Sequence, residues 1–97
     1  MAEADGVEVR RNEAEEQFEV ALGSDRAVLT YAEQNGKFYV LHTEVPEEME
    51  GQGIGSALVR EAMDYARGKG VKVVPLCPFA KAWLHRHHDY ADVVATE

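Results

Sequence analysis

The sequence predicts an α+β domain, an antiparallel meander closed by a βαβ crossover, with a mixed sheet and two helices. Three observations predict it. Up to Val45 the apolar residues mostly alternate with polar ones, the period of half-buried strands. Asn35-Gly36 then marks a tight hairpin, because both residues tolerate positive φ. Beyond Ile54 the apolar spacing becomes helical, and a short apolar run, Val71 to Leu76, follows two glycines.

Each element has its own warrant. Val7 to Arg11 alternates weakly and is a first strand candidate. Phe18, Val20 and Leu22 alternate with Glu19 and Ala21 in a second. Gly23-Ser24-Asp25 is a turn, and Arg26 to Glu33 is a third strand carrying Val28, Thr30 and Tyr31. Lys37 to Val45 is apolar nearly throughout its middle and is expected to be central, with both faces covered. Ile54, Leu58, Ala62 and Tyr65 form one face of a helix over 54–67, which Gly68 and Gly70 are expected to end. Residues 71–76 form the crossover strand, right-handed as such units almost always are. Phe79 to about His88 is a second helix, with Pro78 at its start and Phe79 and Trp83 on an apolar stripe expected to be core.

The 97 residues set an expectation of one domain over 1–97, with 1–6 a loose polar terminus. Net charge is −8, from 18 acidic and 10 basic residues. That argues against nucleic acid as a partner, since phosphate backbones need a basic footprint. No apolar run approaches the roughly 20 residues of a membrane span. The one cysteine, Cys77, excludes an internal disulfide. With no visible secretory signal, the chain is expected to be cytoplasmic, and a monomer or weak dimer.

The most informative segment lies between the fourth strand and the first helix: Glu50-Gly51-Gln52-Gly53-Ile54-Gly55-Ser56. The first N–H groups of a helix lack internal partners and lie at the positive end of its dipole. Glycines allow an anion close to that backbone. Gly51, Gln52, Gly53, Ile54, Gly55 and Ser56 are therefore candidates for holding a phosphate group, while the plainer reading is a tight turn. A P-loop string is absent. The dinucleotide fingerprint fails at its third glycine, where Ser56 stands, and its acidic ribose ligand is missing near 71–75.

The loop, the preceding Leu41-His42-Thr43-Glu44-Val45-Pro46, the string Val73-Val74-Pro75-Leu76-Cys77-Pro78-Phe79 and the late His88-Asp89-Tyr90 occur together. In combination they resemble the short, single-domain (YjdJ-type) branch of the GCN5-related N-acetyltransferases, over roughly residues 10 to 95. The resemblance implies that fold, acetyl-CoA as cosubstrate, and an amine of a small molecule or peptide as acceptor. It maps the loop glycines onto Gly53 and Gly55. It also implies that the pantetheine arm lies along the backbone of Thr43 and Val45. The loop's customary Gln or Arg is replaced by Glu50, a carboxylate facing a pyrophosphate. That departure keeps a second reading open, a CoA-binding regulatory module with little catalysis. A third is an interaction domain with a structural loop.

Two candidates for the chemistry remain. Cys77, just past the crossover strand, belongs on the same side as the loop, because ligands collect at the carboxyl ends of parallel strands. It is read either as a thiol acting near the acetyl group, as the resemblance implies, or as a small buried apolar residue. His42 is a candidate base or a structural histidine. His85, His87 and His88 lack a metal-ligand spacing, so no metal is expected. Lys81 and Arg86 are expected to be exposed, as is the acidic cluster Glu13, Glu15 and Glu16.

Overall fold

The computed structural model describes residues 7–95. The expected loose terminus, 1–6, lies outside them. Strands β1 (Arg10–Asn12), β2 (Gln17–Leu22), β3 (Asp25–Gln34) and β4 (Lys37–Glu44) form an antiparallel meander. Helix α1 (Ile54–Lys69) carries the chain over to β5 (Lys72–Pro75), which pairs in parallel with β4. The five strands keep sequence order across the sheet. Helix α2 (Pro78–Arg86) and a 3-10 segment, His88–Val93, follow.

Local chemistry explains the turns. Asn35 and Gly36 have φ of 53° and 76°, the mirror-image turn that suits strand twist. Gly23, at φ 62°, begins the two-residue turn between paired Leu22 and Asp25. The β1–β2 turn uses no glycine. There Asn12 Oδ1 accepts a hydrogen bond from the Glu15 amide, and Glu16 takes a φ of 54°. The first strand pairs only from Arg10 to Asn12, later than Val7 to Arg11 predicts, although Val7 and Val9 still pack against the core.

Helix α1 buries Ile54, Leu58, Val59, Ala62, Met63 and Ala66 against the sheet. Gly70, at φ 75°, ends it by donating to the carbonyls of Ala66 and Arg67, while Arg67 and Lys69 complement the dipole. Gly68 lies inside the helix and does not end it. Beneath the helix, Tyr31 stacks on Phe38 with ring centroids 4.8 Å apart, and Phe18 and Tyr65 complete the aromatic cluster.

Two expectations need correction. Strand β4 is internal, between β3 and β5, but only one of its faces is fully covered: Phe38 and Val40 are buried while Tyr39 and Leu41 are half-buried. Both helices lie on the Phe38 side, where Trp83 of α2 bonds Ser56 of α1. Helix α2 also stops at Arg86 rather than His88. His87 leaves helical geometry, its amide donates to the Leu84 carbonyl, and its ring nitrogen Nδ1 bonds the Trp83 carbonyl at 2.8 Å. His85 and His88 therefore do not share a helix face.

Candidate functional site

The cross-strand register decides which side chains reach the site. In the β3–β4 pair Tyr31 faces Val40, yet Thr30 faces His42, so Leu41 is the extra residue of a bulge. The bulge shifts the alternation of β4 by one. Phe38 and Val40 point to the core before it. After it, Thr43 does so, opposite fully buried Leu29, and His42 turns to the other face beside Thr30. His42 is exposed there. As a candidate base it is thus not brought to the site.

The same region opens the sheet. Strand β5 follows β4 only from Lys37 to Val40, with Leu76 adding a last bond from its amide to the Val40 carbonyl at 3.0 Å. The chain then turns into α2. Among the described residues, no strand pairs with Leu41–Glu44 on the β5 side. The gap and the loop before α1 form a pocket of about 680 Å³, within the usual range of roughly 300–1,000 Å³ for small-molecule sites.

One wall of the pocket is Thr43 and Val45; the other is Gly51, Gly53 and the first turn of α1, Ile54, Gly55 and Ser56. These candidates come together. Gln52 does not line the pocket, and its side-chain amide reaches back to the Glu48 carbonyl at 3.5 Å. Gly53 caps α1 in the left-handed conformation at φ 74°, and Gly51 has φ 84°. The Ala57 amide makes its helical bond to the Gly53 carbonyl, so the preceding amides of Ile54, Gly55 and Ser56 have no partner within the helix. Gly55 has a different reason to be glycine: the ring of Phe79 lies over it.

Cys77 sits under this arrangement rather than on its surface. It is 4% exposed, does not line the pocket, and occupies the residue just before α2. Its Sγ lies 3.4 Å from Thr43 Oγ1. Burial pushes the thiol pKa up. The hydrogen bond with Thr43 and those with the backbone of Ala80 and Phe79 outweigh it, and the net shift is downward. A helix N-terminus favours a thiolate in the same sense.

Two lining residues carry no signal in the sequence, and a third is placed differently from its expectation. Met49, buried in the 3-10 turn Glu47–Met49, closes the floor. Arg26 reaches the rim from the start of β3. Phe79, expected in the core beside Trp83, is 40% exposed and lines the pocket, whereas Trp83 is fully buried. Phe79 belongs to the first turn of α2, which overhangs the pocket. Glu50 also lines it, on the glycine side.

A mixed sheet parted at its fourth strand, beside a helix begun by alternating glycines, thus frames the pocket. The model of the family described as GCN5-related N-acetyl-transferase matches residues 17–93. The chain belongs to that family. It is 32% identical to Protein NATD1 of Xenopus tropicalis over 87 residues, covering 87% of this chain and 80% of the relative. It is 34% identical to Protein NATD1 of Mus musculus over 82 residues, covering 80% and 74%. The solution structure of a GCN5-like protein of Staphylococcus aureus superimposes with a TM-score of 0.75 at 28% identity, covering 96% of this chain and 92% of that one. The acetyltransferase-like character expected from the sequence agrees with these comparisons.

Proposed function

We propose that this protein binds acetyl-CoA in the pocket between β4 and α1 and transfers the acetyl group to an amine of a small molecule or peptide. The observation that carries the reading is a pair of backbone surfaces across one gap that have no backbone partners among the described residues: the amides that begin α1 and the β5 side of β4 beyond Val40. A pyrophosphate suits the first, since the amides and the helix dipole both favour an anion. A pantetheine arm, with two amides, suits the second as an added strand would. In this reading Thr43 and Val45 meet the arm, and Gly53, Ile54, Gly55 and Ser56 meet the pyrophosphate.

The transfer itself is a direct displacement. The neutral amine nitrogen attacks the thioester carbonyl, a C–N bond forms and the C–S bond breaks. The proton lost by nitrogen ends on the departing thiolate, giving amide and free CoA. The Cys77 thiol lies 3.4 Å from the Thr43 hydroxyl beneath the gap, and we assign it to the thioester end. A cationic acceptor fits the acidic residues around the loop, Glu44, Glu47, Glu48 and Glu50, in a chain of net charge −8.

Release of free thiol from acetyl-CoA with a panel of amines tests the reading. Turnover with at least one amine, reduced in Cys77→Ala, is expected. CoA binding with no turnover on any amine would leave the regulatory module instead, the reading that Glu50 on the pocket wall favours.

A further inference from the structure

Trp83 is the one tryptophan of the chain and is fully buried, yet its indole N–H ends at the pocket wall. It donates to Ser56 Oγ at 2.7 Å, and Ser56 lines the pocket in the first turn of α1. The indole is held from behind: His87 stacks on it at 3.8 Å between centroids and 11° between planes, and the Arg60 guanidinium lies 5.3 Å from its centroid. A tryptophan N–H only donates, whereas a serine hydroxyl has one proton to give and two lone pairs. The bond therefore occupies a lone pair of Ser56, fixes the direction of Cβ–Oγ, and leaves the hydroxyl proton available to an acceptor.

We propose that Trp83 is a positioning residue: its indole N–H holds the Ser56 hydroxyl as a donor toward the anionic group bound at the start of α1. The inference rests on the acetyl-CoA reading of the pocket and deepens it. A serine free to rotate would divide its hydroxyl between the pocket and its own helix carbonyls. Pinned by a buried ring, it is preorganised, and a charge-assisted bond to a phosphate oxygen needs no rearrangement. The design also couples the pocket to α2, because the helix that carries Trp83 also carries Phe79 and is preceded directly by Cys77.

The test is a double-mutant cycle on CoA affinity by calorimetry, with Trp83→Phe, Ser56→Ala and the double variant. Phenylalanine keeps a ring against His87 and removes the N–H. Wild type is measured first. Absence of CoA binding there overturns the acetyl-CoA reading and this inference with it. Given binding, Trp83→Phe is expected to weaken CoA by about fivefold, the scale of one hydrogen bond. In the Ser56→Ala background the same change is expected to have no further effect, which a purely structural role would not produce. Additive losses would overturn the positioning role and leave the CoA reading intact. The second measurement needs no Trp83 variant. The lone indole N–H gives one resonance in the wild-type protein, expected to shift on CoA addition and to lose that response in Ser56→Ala. An indole signal unmoved by saturating CoA would overturn the proposal.

Discussion

A methyl group added to Gly55 would stand 2.8 Å from Cζ of Phe79. Real Cβ atoms do not tolerate that approach, so one of the two groups must move. Phe79 is the one able to, since it is 40% exposed and lines the pocket. The third glycine of the loop is therefore matched to an aromatic ring, not solely to a ligand.

Gly55→Ala is expected to fold with stability within about 1 kcal/mol of wild type. The helix gains a better residue, and the displaced ring loses part of its packing. Its CoA affinity is expected to fall by about tenfold, because the ring is pushed off its seat at the pocket. In Phe79→Ala the same glycine change is expected to cost little affinity. A full tenfold loss in that background would mean that the ligand itself needs the space a Cβ would fill. Thermal unfolding and CoA calorimetry on the four proteins decide it.

Glu50 stands where the resemblance places a glutamine or arginine, and it lines the pocket. Glu50→Arg is expected to strengthen CoA binding by about fivefold at low salt, with a smaller gain as ionic strength rises and screening shortens the interaction range. Calorimetry at two salt concentrations measures it, and no gain at either would remove Glu50 from the anion's surroundings.

Thr43 and Cys77 join the two sides of the gap. Removing the hydroxyl in Thr43→Val deletes one of the bonds that favour the thiolate, so the Cys77 pKa is expected to rise. The thiolate absorbance of this single-cysteine chain, followed against pH, reports it. An unchanged titration would show that the backbone groups of Ala80, Phe79 and Thr43 set the value without the hydroxyl.

At the far end of α1, Lys69 Nζ lies 2.8 Å from Glu33 Oε2, and Tyr65 donates to Oε1 of the same carboxylate. The Lys69 hydrogen bond holds Glu33 below the ordinary glutamate range despite partial burial. A depressed folded value means stability that is present above the unfolded glutamate pKa and lost as pH falls through the folded one. Glu33→Gln is expected to flatten part of the decline in stability below about pH 4.5 and to leave CoA affinity unchanged. An acid limb identical to wild type would contradict the assignment. The pair is half-exposed, so its contribution is small.

Much of the architecture could be read from the sequence because local chemistry and global fold agree there. Asn35-Gly36 takes the turn its residue types favour, and the stripe of Ile54, Leu58 and Ala62 meets the sheet. The loop glycines are legible from the helix start they precede, whereas Thr43 and Val45 come from the family resemblance alone; both sets line one pocket. What could not be read depends on partners distant in sequence. The Leu41 bulge exists only in the pairing with β3, and it alone decides that Thr43 rather than His42 faces inward. The periodicity that groups Phe79 with Trp83 does not reveal that the first turn of α2 overhangs a cavity. Arg26 gave no signal, since its place at the rim follows from where β3 begins beside the end of β4.

The central claim is that the gap between β4 and α1 holds CoA. Calorimetric titration of CoA into the wild-type protein tests it most directly. Saturable one-to-one binding with a dissociation constant below about 100 µM is expected. No heat of binding up to high micromolar CoA would contradict it.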